Sequence, residues 1–411
     1  KIRKLLAAAL VLIMVFAAIP VFSLAEGVNA MAYESKQMSK LDRAWAAIDA
    51  AEAEAMAAGK TRTQVIRAVY QAALNIGAVN KDSFSDFTKD GFYFTVDGMN
   101  CSYNYRLRNE IDATDCIASP NEPGIQVFES ASKPVNTRDA GSPNVLLVAP
   151  WYSSDSSFTD QYMTEARSIA TATGGTCTML GGHNATGPNI AAAYTGKGVV
   201  IYDSHGSQSG TSSYLCLTTN SGITQTDYSN GWAVSSGSAA YIDGRYIENH
   251  VTSTLPDTFV WMAICEGMKR SGQGTTGYAL LRAGAGAVYG YSQSVSFTGD
   301  YRYEATFWTH MKDGESIAES YNAMVAQWGI PDPVSGGDAY PIVMSPVDPF
   351  PANPDGAQVV NCDWLLYGDP EPVELESFSL STDRVSVYAG FTEKVTFERV
   401  PDNAGYYELN W

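Results

Sequence analysis

The stretches Val199-Val200-Ile201-Tyr202-Asp203-Ser204-His205-Gly206 and Phe259-Val260-Trp261-Met262-Ala263-Ile264-Cys265-Glu266-Gly267 decide the fold. Each is an apolar run too short for an independent helix that stops at a reactive side chain, as a buried parallel strand does where it meets the rim of its sheet. Open α/β sheets carry their chemistry at that rim. A histidine before a glycine on one strand and a cysteine before Glu266-Gly267 on a later one are the parts of a thiol nucleophile and its base. A thiol near its free pKa needs a positioned base to take its proton. Cys265 alone would read as one more buried, inert cysteine. Its place at a strand end, matched by His205, is what marks it.

Working outward, Val145 to Ala149 is a short apolar run stopped by Pro150, and a helix is predicted from about Asp160 to Thr173. Gly174-Gly175 breaks it before a second strand, Thr176 to Leu180, and a short helix over Ile190 to Tyr194 precedes the histidine strand. Strands alternating with helices imply βαβ units and a mostly parallel sheet flanked by helices. The 52 residues between Gly206 and Phe259 exceed a plain crossover. Within them, Ala240 to Ile247 reads as a hairpin turning at Asp243-Gly244, part of an insertion that would overhang the site and shape binding.

Upstream, apolar spacing predicts helix from 35 to 76, then alternation at Phe92, Phe94 and Val96 and at Tyr103 to Leu107 predicts strands, so residues 26–130 are expected to form an α+β module, which the resemblance given below makes a pro-region. Residues 131–143 have linker composition, and 144–371 are expected to form the catalytic domain. Over 376–411, Val385, Val387, Val395 and Phe397 alternate as in the opening strands of an immunoglobulin-like β module, which is expected to be cut short at Trp411, since a whole sandwich takes about 100 residues.

In its motifs the chain resembles the caspase-hemoglobinase clan of cysteine peptidases, and is most similar to the gingipain-like and clostripain-like bacterial branches. The segment Gly277 to Gly290 is similar to the gingipain helix and strand that come after the cysteine, and Leu365-Leu366-Tyr367-Gly368-Asp369-Pro370 to the phrase that closes that domain. The resemblance spans roughly residues 140 to 371 and lies in the order of the motifs. It implies a caspase-like α/β fold and a secreted endopeptidase in which Cys265 attacks the scissile carbonyl while His205 moves the proton as base and acid. It implies backbone N–H groups of Gly206 and Cys265 as oxyanion donors, with no third catalytic member, although Asp203 stands two residues before His205. For substrate binding it points to Asp155, in the loop after the first strand, as partner of an arginine or lysine side chain. Clostripain-like enzymes carry an acid two places before the cysteine, where this chain departs with Ala263. No cofactor enters that chemistry; structural calcium is implied by the resemblance, though no EF-hand loop is present. Two other readings stay open: a catalytically silent binding or adhesion protein on the same fold, and a cysteine transpeptidase.

The N-terminal segment and composition agree with an exported protein, secreted or held at the cell surface, and the resemblance implies a bacterial one. Lys1, Arg3 and Lys4 precede an uncharged run from Leu5 to Phe22 and then Ser23-Leu24-Ala25, so residues 1–25 read as a signal peptide, with an uncleaved anchor as the competing reading. After cleavage no stable membrane insertion is expected. The formal charge of −18 argues against nucleic-acid partners and suits protein or peptide substrates, cationic ones above all. Six cysteines spread over the chain do not make a dense disulfide framework, but Cys101 with Cys116 is a plausible bridge. No His-Glu-x-x-His motif, phosphate loop or centred Gly-x-Ser-x-Gly elbow is present, the serines of Gly206-Ser207-Gln208-Ser209-Gly210 being misplaced for the last.

Overall fold

The computed structural model describes residues 22–85, 87–109, 126–129, 140–152, 156–209, 212–252, 255, 257–269, 275–334, 337–351, 356–366, 377–380 and 397–400. The chain divides into two compact units, one of residues 1–110 with 223–237, the other of residues 111–222 with 238–411.

The second unit is organised by a seven-stranded sheet in the order Pro341–Met344, Ala287–Tyr291, Phe259–Ala263, Val199–Asp203, Val145–Ala149, Thr176–Gly181, Gln126–Glu129. The five inner strands run parallel and both edge strands antiparallel. In Val145–Ala149, Val199–Asp203, Phe259–Ala263 and Ala287–Tyr291 every residue is buried, which is why these strands read as unbroken apolar runs. One face packs on helices Ser156–Thr173, Phe297–Lys312 and Ile317–Trp328, where Trp261 stacks on Tyr289 with ring centroids 3.7 Å apart, against Phe307 and Trp308. The chain runs from Val145–Ala149 outward to Thr176–Gly181, then crosses back to lay the histidine strand on the other side of the first. That reversal is a topological switch point, and open α/β sheets bind their ligands outside the carboxyl ends of the strands at such points.

The histidine strand leads straight into a hairpin of Gly206–Ser209 and Ser212–Leu217, whose second strand pairs with Ala239–Ile242. The turn expected at Asp243-Gly244 is instead a helix start. Asp243 caps helix Gly244–His250 by accepting from the N–H groups of Arg245 and Tyr246, so the chain after Ile242 coils where a return strand was expected.

The first unit packs helices Phe22–Ala57 and Arg62–Leu74 with antiparallel strands Val79–Asn80, Gly91–Val96 and Met99–Asn104. Asp97 and Gly98 turn the main hairpin, both at positive φ, the geometry of a two-residue turn. A fourth strand, Ala233–Ser236, comes from far along the chain and lies parallel to Met99–Asn104, with Ser235 opposite Cys101 and its Oγ accepting from Trp45 Nε1 at 2.8 Å. Cys101 is a free, fully buried thiol, so the expected bridge is not formed; Cys116 lies outside the described residues.

Residues 1–21 of the expected signal peptide, 110–125 and 130 of the expected pro-region, 131–139 of the linker, Tyr367 to Pro370, and 381–396 and 401–411 of the expected β module also lie outside the described residues. Ser377–Leu380 and Phe397–Val400 pair antiparallel. Among the described residues no helix is long and apolar enough to cross a membrane.

Candidate active site

The two marked strands are direct neighbours. Phe259–Ala263 pairs in parallel with Val199–Asp203, Ala263 opposite Asp203, so His205 and Cys265, each two residues further on, leave the sheet at the same rim and level. Their backbones meet there. A Cβ placed on Gly206 would lie 1.8 Å from the carbonyl oxygen and 2.9 Å from the amide nitrogen of Cys265, a contact only glycine permits.

Each residue is held by its surroundings. The His205 carbonyl accepts from Cys216 N at 2.9 Å, and the Cys216 carbonyl in turn accepts from Ser204 Oγ at 2.8 Å and Trp151 Nε1 at 3.0 Å. The His205 ring is flanked edge-on by Trp151, centroids 5.1 Å apart, and by Phe297 at 6.2 Å. Cys265 is half-buried, its Sγ 3.7 Å from the carbonyl oxygen of Val295. Glu266 comes next at φ +60°, an uncommon backbone state for a side-chain-bearing residue, and its N–H donates to Gln293 O at 2.9 Å. The turn beyond is tied to the hairpin: Ser213 Oγ donates to Gly267 O at 2.7 Å, and Thr276 Oγ1 donates to Ser213 O at 2.7 Å.

The other thiol near the rim is of a different kind. Cys216 is fully buried, and burial, with Cys265 and Glu266 adding negative potential, pushes its pKa well above the ordinary value. Such a thiol is inert at neutral pH. Asp203 accepts from Thr159 Oγ1 on helix Ser156–Thr173 and points into the sheet's packed face.

Asp155 lies outside the described residues, three places along the chain from half-buried Tyr152, which adjoins the buried Trp151. Three features escaped sequence reasoning: the flanking of His205 by Trp151 and Phe297, the hairpin locked to its carbonyl, and a group of buried acids beside the rim. Asp300 accepts from the hydroxyls of Tyr162 and Tyr291, the latter at 2.6 Å. Burial raises its pKa to about 6 against the lowering effect of those two bonds. Their only sequence signal is a tyrosine inside an apolar strand, since a buried phenol requires a polar partner. Among the described residues no group of three or more His, Cys, Asp or Glu side chains is placed to hold a metal ion.

No known family profile matches this chain, and no curated protein does. Among solved structures it is similar to the Arg-specific cysteine proteinase gingipain R, with 14% identity and a TM-score of 0.33 over 49% of this chain and 45% of that one. It is similar also to the complex of Porphyromonas gingivalis RgpB pro- and mature domains, at 14% identity and a TM-score of 0.30 over 49% of this chain and 46% of the other. The chain thus spans less than half the length of each. Likeness of that degree assigns neither activity nor specificity, so a function has to be argued from the residues of this chain.

Proposed function

We propose that this chain is a secreted cysteine endopeptidase of caspase-like fold, with Cys265 as nucleophile and His205 as general base and acid. The observation that carries it is the meeting of Gly206 with the Cys265 backbone at the carboxyl rim of two paired parallel strands. It brings a half-buried thiol and a half-buried imidazole to the same rim at the sheet's switch point. His205 takes the thiol proton, the thiolate attacks the scissile carbonyl carbon, and backbone N–H groups of Gly206 and Cys265 receive the oxyanion. The imidazolium returns the proton to the departing amine. Water, deprotonated by His205, then releases the acyl group from sulfur.

Cleavage after arginine or lysine belongs to the same proposal and rests on Asp155, a carboxylate four residues along the sequence from Trp151, whose ring flanks that of His205. Export, a zymogen stage and bound calcium remain part of the reading on sequence grounds alone. The decisive experiment is incubation of the full chain with an irreversible peptidyl electrophile carrying arginine, and then peptide mapping. Rapid stoichiometric labelling at Cys265, lost in His205→Ala, is expected. Labelling no faster than that of a free thiol in solution would make the chain a silent binding protein. Cleavage of a peptide library with and without an added amine separates hydrolysis from transpeptidation.

A further inference from the structure

Beside the rim, helices Ser156–Thr173 and Phe297–Lys312 enclose a groove of about 290 Å³ lined in part by Asp160, Thr164, Glu165, Tyr301 and Glu304. Its charge is one-sided: three of its seven lining residues are acids and none is a base. Glu165 is already paired, accepting from Lys312 Nζ, which also donates to Ser168 Oγ. Asp160 stands exposed at the mouth, 3.5 Å from the Tyr152 hydroxyl. Glu304 is the unusual member. It is only 1% exposed, and its Oε1 is buried without a hydrogen-bond partner among the described residues. Buried polar atoms nearly always have partners, and an orphan in a native fold asks for a missing one. Burial first, then Glu165 and Asp300, raise the Glu304 pKa well above that of an ordinary glutamate, while Lys312 acts in the opposite sense. An arriving cation would supply both the missing donor and the missing charge.

The shape of the groove narrows the ligand. Among the described residues no set of side chains here is placed for a metal ion. Tyr301 is 40% exposed and forms an aromatic wall, which suits an organic cation on an apolar stem: methylenes against the ring, head group between the carboxyls. Position narrows it further. Phe297, whose ring lies 6.2 Å from that of His205, starts the helix on which Tyr301 is one turn and Glu304 about two turns further on. At 1.5 Å rise per residue that is roughly 10 Å from the histidine's flank. An extended peptide advances about 3.3 Å per residue, so a side chain in the groove would sit about three residues from the reacting bond.

We propose that this groove is a recognition subsite for a lysine or arginine side chain of the bound polypeptide, about three residues away from the cleaved bond and separate from Asp155. It rests on the peptidase reading for its substrate, though its chemistry does not depend on turnover. The test uses octapeptides with one fixed arginine and lysine or glutamine placed in turn at every other position. On the full chain, the lysine-to-glutamine ratio of kcat/KM is expected to reach about 10-fold or more at one position remote from the cut, and to collapse toward unity in Glu304→Gln. Asp160→Asn, at the exposed mouth, should lower it part of the way, and serves if Glu304→Gln folds poorly. The same peptides are then titrated by fluorescence anisotropy onto Cys265→Ala protein, with and without Glu304→Gln. Cleavage with no remote preference, unchanged in Glu304→Gln and Asp160→Asn, overturns the subsite and leaves the peptidase reading standing. Absence of cleavage with a Glu304-dependent binding preference for lysine keeps the subsite and removes the peptidase. Neither cleavage nor preference removes both.

Discussion

The two ends of the parallel sheet are built from the same strands and do opposite things. At the amino end the chain is sealed by backbone. Gly198 and Gly175 lie so close to the preceding loop that a Cβ would come within 1.8 Å of Ser142 O and 2.0 Å of Pro143 O. Around them Gly198 N donates to Asn144 O, Phe259 N to Gly198 O and Gly286 N to Thr258 O, each at 2.9 Å, and Asn144 Oδ1 accepts from Thr176 N at the same distance. At the carboxyl end a close glycine-to-backbone contact recurs at Gly206, but there side chains emerge: Trp151, His205, Cys265, Glu266 at positive φ, and behind them Asp203, Asp300 and Glu304. On the proposed reading, stability and chemistry belong to opposite ends of the sheet, and each end should answer to mutation in its own way.

The largest effect is expected at the carboxyl rim. Cys265→Ala should abolish turnover, and His205→Ala should lower kcat/KM on the order of 10²- to 10⁴-fold, the range for general acid–base groups, with Tm unchanged within a few degrees. Cys216→Ala, in the adjoining hairpin, should retain turnover. If Cys216→Ala were dead and Cys265→Ala active, the assignment of the two thiols would be reversed.

Two glycines at opposite rims offer a matched pair, because each has a carbonyl oxygen 1.8 Å from where its Cβ would be. Gly206→Ala pushes His205 and Cys265 apart and should reduce kcat/KM about 100-fold, as ångström-scale misplacement of reacting groups does. Gly198→Ala should leave kcat/KM per folded molecule intact while removing about 3 kcal/mol of stability, an overpacking effect. Equal loss of activity in both variants would end the division of labour between the rims.

A smaller effect concerns pH. Asp300 holds its proton to about pH 6 in the fold, because burial outweighs its two phenol bonds. An unfolded aspartate releases its proton near pH 4. Between those values the native state binds more protons than the unfolded one, so this group's contribution is complete below about pH 4 and declines as pH rises through 6, by roughly 2–3 kcal/mol. Urea unfolding at pH 4.5 and 7 should therefore show Asp300→Asn gaining on the wild type as pH rises. A stability difference that stays constant across that interval would mean Asp300 is ionised throughout.

Much of the second unit could be read directly from the chain. Strands buried on both faces leave no alternation to decode, only apolar runs with abrupt ends, and those ends carried the histidine and the cysteine. Short-range turn chemistry was less decisive. Asp-Gly occurs at 97–98 as a hairpin turn with both residues at positive φ, and at 243–244 as a helix cap, because an aspartate carboxylate satisfies a turn and the first N–H groups of a helix equally well. The residues after the dipeptide decide between the two, and in the second case Arg245 also holds the Asp243 carboxylate. Long-range partners left no local trace at all. Nothing near Ser235 announces that it will lie opposite Cys101, and Glu304 looks like any polar residue on a helix until the neighbouring helix covers it.

The strand Ala233–Ser236 has a bearing on the proposed zymogen stage. The module formed by residues 22–109 does not own all of its sheet: its fourth strand, and the hydroxyl that Trp45 donates to, arrive from the middle of the polypeptide. Were the chain nicked between residues 130 and 139, two fragments would be made that still share one fold, as in a noncovalently complemented protein. Denaturing gels would report a cut chain while gel filtration reported an intact one. Liberating the module would then mean withdrawing a strand, so scission and release are separate events, and the second could be slow long after the first is complete.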